Sequence, residues 1–316
     1  MNVLITGADG FIGRKLVARL LSAAGETSLG APLSKLTLLD QRFGDRSADA
    51  RVTLVEGDLC AEQTLRAATE AAPDLVFHLA SIPGGAATKN FELGLRVNLQ
   101  ATVALLEVLR RQGKKPRVVF ASTIGVYGVP MPDVIDEETL PEPSMTYGAH
   151  KLISEVLIRD YSLREFIDGR TLRLPGIVSR PPQPSGMLSA FMSDMIRTLW
   201  NGGEFTCPVG PEGRAWWMSR PCVVDNLLHA AALSPERAAT QRVWLLPVMH
   251  SSMEEVVAAI ARRRGEALLR NVRYERNDAL QAQFANMPPL ICPKALAAGF
   301  RNDGTLEALV ERALEE

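Results

Sequence analysis

Two side chains that can move a proton stand four residues apart in this chain, Tyr147 and Lys151, in the segment YGAHK. Residues with this spacing share one face of a helix, so the two side chains are expected to lie close together. A tyrosine has an ordinary pKa of about 10, so little of it is phenolate near neutral pH, and a neighbouring ammonium group favours the phenolate. The pair therefore predicts a proton acceptor that works near neutral pH.

Two hydroxyl side chains, Ser122 and Thr123, end an apolar run in the segment FASTIGVYG at residues 120–128. At the end of a buried strand such hydroxyls can hydrogen-bond a substrate oxygen, although they are also common as turn formers. Their position ahead of Tyr147 favours the catalytic interpretation. Tyr127, four residues after Thr123, either lines the substrate pocket or packs in the core.

A glycine-rich turn follows the first apolar run of the chain, in the segment TGADGFIG at residues 6–13. The spacing GxxGxxG lets the backbone turn sharply and brings main-chain N–H groups against a pyrophosphate. The alternative is a tight connection between a strand and a helix. The pattern predicts a dinucleotide-binding turn made by Gly7, Gly10, Phe11, Ile12 and Gly13.

A carboxylate, Asp40, closes the second apolar run, LTLLD. In this place it can accept hydrogen bonds from the adenosine ribose hydroxyls and would repel a 2′-phosphate, which favours NAD over NADP. Two observations leave the preference open: Arg42 lies close enough in sequence to accommodate a phosphate, and an aspartate can also cap a helix.

Short apolar runs alternate with stretches of helical spacing along the first half of the chain. The runs predicted as buried strands are residues 2–6, 35–40, 51–55, 74–80, 117–122 and 170–178, with a seventh at 242–247. Strands separated by helices indicate right-handed crossovers and a parallel sheet. The predicted fold class is α/β, a Rossmann doubly wound parallel sheet over residues 1–178, with a smaller C-terminal substrate lobe over 179–316 that starts at the segment RPPQPSG, residues 180–186.

The order of glycine turn, hydroxyl-bearing strand end and YxxxK pair resembles the short-chain dehydrogenase/reductase superfamily, in the extended branch that includes nucleotide-sugar epimerases and dehydratases. The resemblance covers roughly residues 1–180. It implies that Tyr147 is the proton acceptor, that Lys151 tunes it and holds the nicotinamide ribose, and that Thr123, with Ser122 beside it, hydrogen-bonds the substrate oxygen. It further implies cofactor contacts at Asp58, Leu59, Leu79, Ala80, Asn98, Pro175 and Ile177.

Two of the residues in this part of the chain have competing interpretations. Asn98 opens a predicted helix over residues 98–112, where it either caps the helix or orders the active-site backbone, as the resemblance implies. His78 is interpreted as a packed strand histidine rather than a base, because it precedes the loop and the family's chemistry does not need it.

Departures from the nucleotide-sugar members bear on the substrate. Gly176 stands where those enzymes carry an asparagine. The segment WWMSRPCVVD at residues 216–225 has their aspartate, as Asp225, but lacks the preceding residues that contact the nucleotide in those enzymes. A substrate that carries a nucleoside diphosphate is therefore in doubt, and a smaller hydroxylated acid fits better. Arg180 and Arg220 could bind its carboxylate through a bidentate pair, or could be surface or salt-bridged arginines. Trp216 and Trp217 either wall the pocket or belong to the core or to an interface.

The resemblance extends to those members of the branch that oxidise a small sugar acid. It implies NAD-dependent oxidation of the hydroxyl at C2 to a 2-oxo acid. The alternative is a nucleotide-sugar 4-epimerase or dehydratase with tightly bound NAD, and a third possibility is a protein that binds NAD without catalysis. The presence of Thr123, Tyr147 and Lys151 argues against the third, because binding alone does not require a phenol and an ammonium on one helical face.

Composition narrows the class of partner. The chain has 316 residues and a net charge of −1, which gives no basic field for nucleic acid or an acidic membrane surface. The four cysteines are scattered, which argues against a metal site or a disulfide framework. With no apolar run long enough to span a membrane and no leader pattern, the expected location is the cytoplasm.

Predicted helices 98–112 and 147–165 have apolar residues on more than one face, which indicates a homodimer, as in relatives that pair through them.

Overall fold

The computed structural model describes residues 1–22, 29–44, 47–181 and 189–315. The chain forms two compact units, the first of Met1–Tyr127, Pro141–Arg173 and Val224–Trp244, the second of Gly128–Leu140, Leu174–Val223 and Leu245–Glu316. The sequence predicts a division at residue 178, with a strand near residues 242–247 returning to the first domain. The chain passes between the units several times: residues 224–244 lie in the first unit, and residues 128–140 supply a strand to the second.

Fourteen strands are present in the described residues. In chain order they are β1 Asn2–Thr6, β2 Lys35–Asp40, β3 Val52–Glu56, β4 Leu75–His78, β5 Arg117–Thr123, β6 Ile135–Asp136, β7 Asp168–Leu174, β8 Gly176–Val178, β9 Phe205–Cys207, β10 Arg214–Ser219, β11 Val243–Leu245, β12 Met249–Ser252, β13 Val272–Tyr274 and β14 Leu290–Ile291.

The sheet of the first unit has seven strands in the order β11-β7-β5-β4-β1-β2-β3. Strand β1 pairs in parallel with β2 and β4, β2 with β3, and β4 with β5. The strand order reverses at β1 and β4, so their carboxyl ends border the crevice where doubly wound sheets bind ligands. The Rossmann arrangement predicted from the alternation of apolar runs is confirmed.

Helices cover the sheet and carry the residues of interest. The α-helices of the described residues are Phe11–Leu21, Glu62–Thr69, Gly84–Lys89, Phe91–Leu95, Ala101–Gln112, Thr146–Leu163, Ala190–Trp200, Arg220–Ala232, Pro235–Thr240, Met253–Arg264, Asp278–Phe284, Pro293–Ala298 and Leu306–Ala313. A π-helical turn spans Arg96–Gln100, and 3₁₀ turns span Ile124–Val126 and Glu266–Asn271. The helix Thr146–Leu163 is called the Tyr147 helix below.

The helix predicted over residues 98–112 begins earlier, at Phe91, and continues through the π-helical turn Arg96–Gln100. Asn90 caps it, because its side chain accepts a hydrogen bond from the Leu93 amide at 3.0 Å. The interpretation of Asn98 as an N-cap is therefore wrong. Gly113 ends the helix in the left-handed region, with φ of 70°, which a glycine adopts without steric cost.

The strand predicted over residues 170–178 is two strands in two different sheets. Strand β7 ends at Leu174 in the seven-stranded sheet, and β8 begins at Gly176 in a three-stranded sheet of order β12-β10-β8. Pro175 lies between them, and a proline cannot donate a ladder hydrogen bond. The single strand that the sequence predicts is therefore interrupted where its one proline stands.

The second unit is built around a separate apolar core. Strand β10 pairs antiparallel with β12 and parallel with β8. The buried side chains of this core include Trp217, Met195, Met253, Val256 and Ile260. Residues 182–186 of the segment RPPQPSG, where the sequence predicts the start of the substrate lobe, lie outside the described residues.

Candidate active site

The glycine turn is shaped by contacts that leave no room for side chains. Gly7 has φ of +71°, and a Cβ there would stand 2.7 Å from the Ala80 nitrogen at the end of β4. A Cβ on Gly13 would stand 2.2 Å from the Gly7 carbonyl oxygen. The N-cap of the helix Phe11–Leu21 is Gly10, and the first turn of that helix carries no acidic residue. The helix thus presents the positive end of its dipole where a pyrophosphate would lie, so the turn fits a dinucleotide.

Asp40 joins the end of β2 to this turn. One oxygen of its carboxylate accepts a hydrogen bond from the Asp9 amide at 2.9 Å, and the other accepts from the Gln41 amide at 2.7 Å. Burial raises the pKa of Asp40, and the two amides oppose that shift. No helix begins in the described residues 41–44, so the helix-capping alternative fails there. Arg42 is exposed.

The segments after β3 and β4 are held by side chains. Asp58 accepts hydrogen bonds from the Cys60 amide at 2.9 Å and from Arg96 at 2.5 Å, and the Cys60 amide contributes most to lowering its pKa. Leu59 is buried in the core. The Leu79 amide donates to the Thr6 carbonyl oxygen at 3.1 Å. These contacts fix the backbone on which the predicted adenine and ribose contacts depend.

Asn98 fixes the backbone that follows β4. Its side-chain oxygen accepts from the Ile82 amide at 2.7 Å, and its side-chain nitrogen donates to the Ile82 carbonyl oxygen at 3.1 Å. The side chain is buried, and both of its polar atoms are used by this one residue. Asn98 therefore orders the loop after β4, the second of its two sequence-based interpretations.

His78 is 1% exposed and both ring nitrogens contact threonine hydroxyls. Nδ1 lies 2.7 Å from Thr6 Oγ1, and Nε2 lies 2.9 Å from Thr102 Oγ1. Because the Thr102 hydroxyl donates to the Asn98 carbonyl oxygen, it accepts from His78 at Nε2, which assigns the proton to that nitrogen. Burial lowers the pKa of His78 to about 3, with a smaller effect of Lys151. The interpretation of His78 as a packed strand histidine is confirmed.

Lys151 is 2% exposed and lies beneath the aromatic ring of Tyr147. Its Nζ stands 5.8 Å from the centroid of that ring and 4.6 Å from the centroid of Phe120. The ammonium donates a hydrogen bond to the Ala121 carbonyl oxygen at 2.8 Å. Burial lowers the pKa of Lys151 to about 7, while the nearby Glu155 opposes that shift. Tyr147 and Lys151 thus share one helical face, with the charge buried close to the phenol.

Thr123 is brought to Tyr147 by close packing of glycines. A Cβ on Gly148 would stand 2.1 Å from the Gly125 carbonyl oxygen, so the start of the Tyr147 helix lies directly on the turn after β5. A Cβ on Gly125 would lie 3.3 Å from Thr123 Oγ1 and 4.0 Å from a ring carbon of Tyr147. Thr123 Oγ1 accepts from the Gly125 amide at 3.0 Å, and a hydroxyl that accepts one bond can still donate its proton.

Ser122 has a different partner from Thr123. Its buried hydroxyl donates to a carboxylate oxygen of Glu155, four residues after Lys151 on the Tyr147 helix. Glu155 also pairs with Arg173 at 2.7 Å, and Arg173 donates to the Tyr127 hydroxyl at 2.7 Å. Tyr127 is therefore a buried residue whose hydroxyl is held from within the first unit. Sequence reasoning missed Glu155 and Arg173; the only local signal is that Glu155 repeats the four-residue spacing of Tyr147 and Lys151.

In the second unit, Gly176 is explained by packing. It stands opposite Trp217 in the β8–β10 pairing, and a Cβ there would lie 2.9 Å from the Trp216 carbonyl oxygen. A side chain at position 176 would therefore require the backbone to shift. Its neighbour Pro175 lies in the break between β7 and β8, and Ile177 is a buried residue of β8.

The two tryptophans belong to the core of the second unit. They are 1% and 0% exposed, and the Nε1 atoms of Trp216 and Trp217 donate to the carbonyl oxygens of Pro288 at 2.7 Å and Ser251 at 3.0 Å. The interpretation that they wall a pocket is wrong, because both side chains are buried and both donors are used inside the unit.

The remaining candidate residues are Arg180, Arg220 and Asp225, and each forms a contact within the protein. Arg220 donates to the Glu315 carbonyl oxygen at 2.9 Å, and the main-chain oxygen of Arg180 accepts from Arg197. Asp225 pairs with Arg19 at 3.2 Å within the first unit, and both side chains are exposed. No cluster of potential metal ligands occurs among the described residues. Within the same residues, no helix combines the length and the apolar character that crossing a bilayer requires.

Comparison with known proteins agrees with this geometry. Residues 3–218 match the NAD dependent epimerase/dehydratase family. D-erythronate dehydrogenase of Cupriavidus necator is 40% identical over 320 residues, covering 100% of this chain and 98% of that protein. D-erythronate dehydrogenase of Haemophilus influenzae is 31% identical over 317 residues, covering 100% and 99%. A crystal structure of a nucleoside-diphosphate-sugar epimerase from Agrobacterium tumefaciens superposes with a TM-score of 0.91 at 34% identity, covering 98% of this chain and 92% of that one.

A doubly wound sheet with a glycine turn at its switch point and a Thr, Tyr and Lys group beside it defines an NAD-dependent oxidoreductase of the short-chain dehydrogenase/reductase type. The chain belongs to the NAD dependent epimerase/dehydratase family, the extended branch of that superfamily. Its cofactor is NAD.

Proposed function

We propose that this enzyme oxidises D-erythronate at the C2 hydroxyl to the 2-oxo acid, with NAD as the hydride acceptor. The observation that carries the proposal is the full-length similarity to two proteins named D-erythronate dehydrogenase. The closeness of Tyr147, Lys151 and Thr123 within the first unit supports it, because oxidation of an alcohol needs a base and a donor at the same oxygen.

The proposed proton path runs through the chain's own residues. The glycine turn and Asp40 would hold NAD, which would supply the acceptor for the hydride of the carbinol carbon. Tyr147 Oη, as the phenolate, takes the proton of the substrate hydroxyl, and Thr123 Oγ1 donates to the same oxygen and orients it. Lys151 stabilises the phenolate by its charge, and the proton then leaves Tyr147 for solvent, so that a carbonyl remains.

We propose that Arg180 or Arg220 binds the substrate carboxylate. A guanidinium holds a carboxylate with two parallel hydrogen bonds and so fixes the neighbouring carbinol. Replacing each arginine by methionine in turn distinguishes them: the one that binds the carboxylate raises KM for the sugar acid and leaves KM for NAD unchanged.

A second candidate is a nucleotide-sugar 4-epimerase or dehydratase with tightly bound NAD. It is favoured by the similarity to the epimerase from Agrobacterium tumefaciens. Against it stands Gly176, which replaces the asparagine typical of the nucleotide-sugar members at a position where a Cβ would lie 2.9 Å from the Trp216 carbonyl oxygen.

The test is an assay of NAD reduction with purified protein and a panel of D-erythronate, L-threonate, UDP-glucose and UDP-galactose. Reduction with D-erythronate is expected, and Tyr147→Phe lowers kcat by about 10²–10⁴-fold. The matched control is Tyr161→Phe on the same helix, which removes a hydroxyl that contacts Glu107 and keeps activity. If no NAD is reduced with the acids and chromatography shows that the UDP sugars are interconverted, the proposal is contradicted and the epimerase is supported.

We further propose that the enzyme is a homodimer. Ile153, Val156 and Leu163 lie on one face of the Tyr147 helix and are 45%, 61% and 69% exposed. Contiguous exposed apolar residues mark interaction surfaces. Light scattering should give the mass of a dimer, and Val156→Glu should reduce it to that of a monomer. Leu269→Glu, an exposed apolar residue elsewhere, is the control that should leave the mass unchanged.

We place the enzyme in the cytoplasm, where NAD is abundant and thiols stay reduced. The four cysteines form no disulfide in the described part of the chain. Fractionation of cells, with the dehydrogenase activity as the marker, tests this location.

A further inference from the structure

A buried ion pair, Glu155 with Arg173, lies beside the reactive side chains and has no part in the proton path. Two guanidinium nitrogens of Arg173 contact the carboxylate, Nη2 at 2.7 Å from Oε2 and Nε at 3.1 Å from Oε1. The side chains are 3% and 11% exposed. A bidentate pair of this kind fixes orientation as well as charge. Burying two charges is costly, so such a pair is weak evidence for a stabilising role.

The pair reaches two further residues of the first unit. Glu155 accepts the hydroxyl proton of Ser122, the residue before Thr123 on β5. Arg173 donates to the Tyr127 hydroxyl, and its guanidinium stands 5.1 Å from the centroid of that ring. Ser122 and Tyr127 flank the turn that carries Thr123. The pair therefore ties both ends of that turn to β7 and to the Tyr147 helix.

The same pair acts on the charge of Lys151. Glu155 is one helical turn from Lys151, and its negative charge favours the ammonium against the effect of burial. The other titratable or charged groups that face Lys151 are Tyr147 on its own helix and His78 on β4, with Arg173 on β7 behind Glu155. Glu155 is the carboxylate among these groups, and Arg173 partly neutralises its charge. The field at Lys151 thus depends on the balance within the pair.

We propose that the Glu155–Arg173 pair is a positioning device for the active site: it holds the Thr123 turn through Ser122 and Tyr127, and it sets the electrostatic field in which Lys151 keeps its proton. The inference rests on the proposed function, in which Thr123 and Lys151 take part. It changes the role of Ser122 from a contact with substrate to a positioning residue. Thr123 alone then donates to the substrate oxygen.

The test follows the proton on Lys151 directly, by NMR titration of protein labelled with ¹³C at the lysine Cε. Lys151→Met assigns the signal by its disappearance. Glu155→Gln leaves the positive charge of Arg173 unbalanced, so the titration midpoint of Lys151 should fall by about one pH unit, which is tenfold in the proton affinity. Arg173→Met leaves the negative charge of Glu155 unbalanced, so the midpoint should rise. The double variant should return towards the wild type.

Opposite shifts are the result that a merely structural role would not give. If both single variants shift the midpoint in the same direction, or if neither shifts it, the electrostatic role is overturned. Glu107→Gln, which breaks a carboxylate contact with Arg110 away from Lys151, is the control and should leave the midpoint unchanged. Because the titration needs no substrate, it gives the same answer whether or not D-erythronate is oxidised.

The positioning of Thr123 is tested with variants that keep all charges. Ser122→Ala should lower kcat measurably but less than Thr123→Val, and the Lys151 midpoint should stay in place. A kcat equal to that of the wild type in Ser122→Ala would overturn the positioning role of Ser122. Equal losses in the two variants would show that Ser122 touches the substrate, which would overturn its role as a positioning residue. These two variants keep the question open to experiment if the charge variants fail to fold.

Discussion

Two buried bases lie under the carboxyl edge of the sheet, and burial lowers the pKa of both by a similar amount, with different consequences near neutral pH. His78 gives both ring nitrogens to threonine hydroxyls, and burial lowers its pKa from 6.5 to about 3. Lys151 has a carbonyl oxygen, two aromatic rings and a nearby carboxylate around it, and burial lowers its pKa from 10.5 to about 7. Phe120 contacts both, with its ring stacked on His78 at 5.5 Å.

The difference separates a structural base from a reactive one. Neutral partners satisfy His78 in a single tautomer, so it carries no charge across the physiological range and only ties β1, β4 and the helix Ala101–Gln112 together. Lys151 is left close to the pH at which it can gain or lose its proton, as expected of a group that tunes a neighbour.

The largest effect is expected from Lys151→Met. Activity should fall by about 10²–10⁴-fold, because the phenolate of Tyr147 loses its cation. Stability should change in the other sense. The folded pKa of about 7 lies below the ordinary 10.5, so the unfolded chain binds one more proton between these values and the wild type gains stability as pH rises through that window.

The cost of burying the Lys151 charge is therefore fully present below pH 7, where both states hold the proton. The methionine of the Lys151→Met variant carries no such cost, so the variant should be the more stable protein there, and its advantage should shrink as pH rises towards 10.5. Urea unfolding on both sides of pH 7 measures this. A variant that is less stable than the wild type below pH 7 would contradict the comparison.

The next effect is expected from His78→Phe, which keeps a ring against Phe120 and removes both hydrogen bonds. Stability near neutral pH should fall by about 1–3 kcal/mol, the cost of a buried hydroxyl left without its partner. Activity should fall far less than in Lys151→Met. In the wild type, the unfolded chain binds a proton at His78 between pH 6.5 and 3, whereas the native histidine stays neutral. The free energy of unfolding of the wild type therefore decreases as the pH is lowered through that range.

The His78→Phe variant loses no stability in this way. The difference in free energy of unfolding between the variant and the wild type should therefore become smaller as the pH is lowered through the same range. Thermal unfolding at several acidic pH values checks this. A deficit that stays constant into acid would mean that His78 is protonated in the native protein.

A smaller effect is expected from Thr102→Val and Thr6→Val, each of which removes one partner of His78. Each should cost about 1 kcal/mol. The structure assigns the proton to Nε2, since the Thr102 hydroxyl is committed to the Asn98 carbonyl oxygen. NMR of ¹⁵N-labelled histidine should show an unprotonated Nδ1 and a protonated Nε2, and the opposite tautomer would reverse the direction of this chain of hydrogen bonds.

Much of the first unit is readable from sequence because its signals are local. The glycine turn, the apolar runs and the four-residue spacing of Tyr147 and Lys151 each depend on residues close together in the chain. Asn98 shows the limit: the sequence offers it as a cap, but Asn90 takes that role eight residues earlier, and the partner of Asn98 is the backbone of Ile82.

The parts that could not be predicted depend on contacts between distant residues. Glu155 and Arg173 are 18 residues apart and meet only because the Tyr147 helix packs beside β7. Trp216 could be placed in the core only once β10 was known to lie between β8 and β12. Pro175 did carry a local signal for the break between β7 and β8, which the continuous apolar run concealed.

The smallest effect is expected from an exposed ion pair, which serves as a comparison for the two buried bases. Asp225, which the sequence retains from the family pattern, pairs with Arg19 at 3.2 Å, and the two side chains are 42% and 46% exposed. Exposed pairs contribute from nothing to about 1 kcal/mol, because water and salt screen them. Asp225→Asn should therefore lower stability by less than His78→Phe and leave kcat unchanged. A large loss of activity would show that Asp225 has a role beyond this ion pair. The family pattern would then indicate a function that the contact with Arg19 does not.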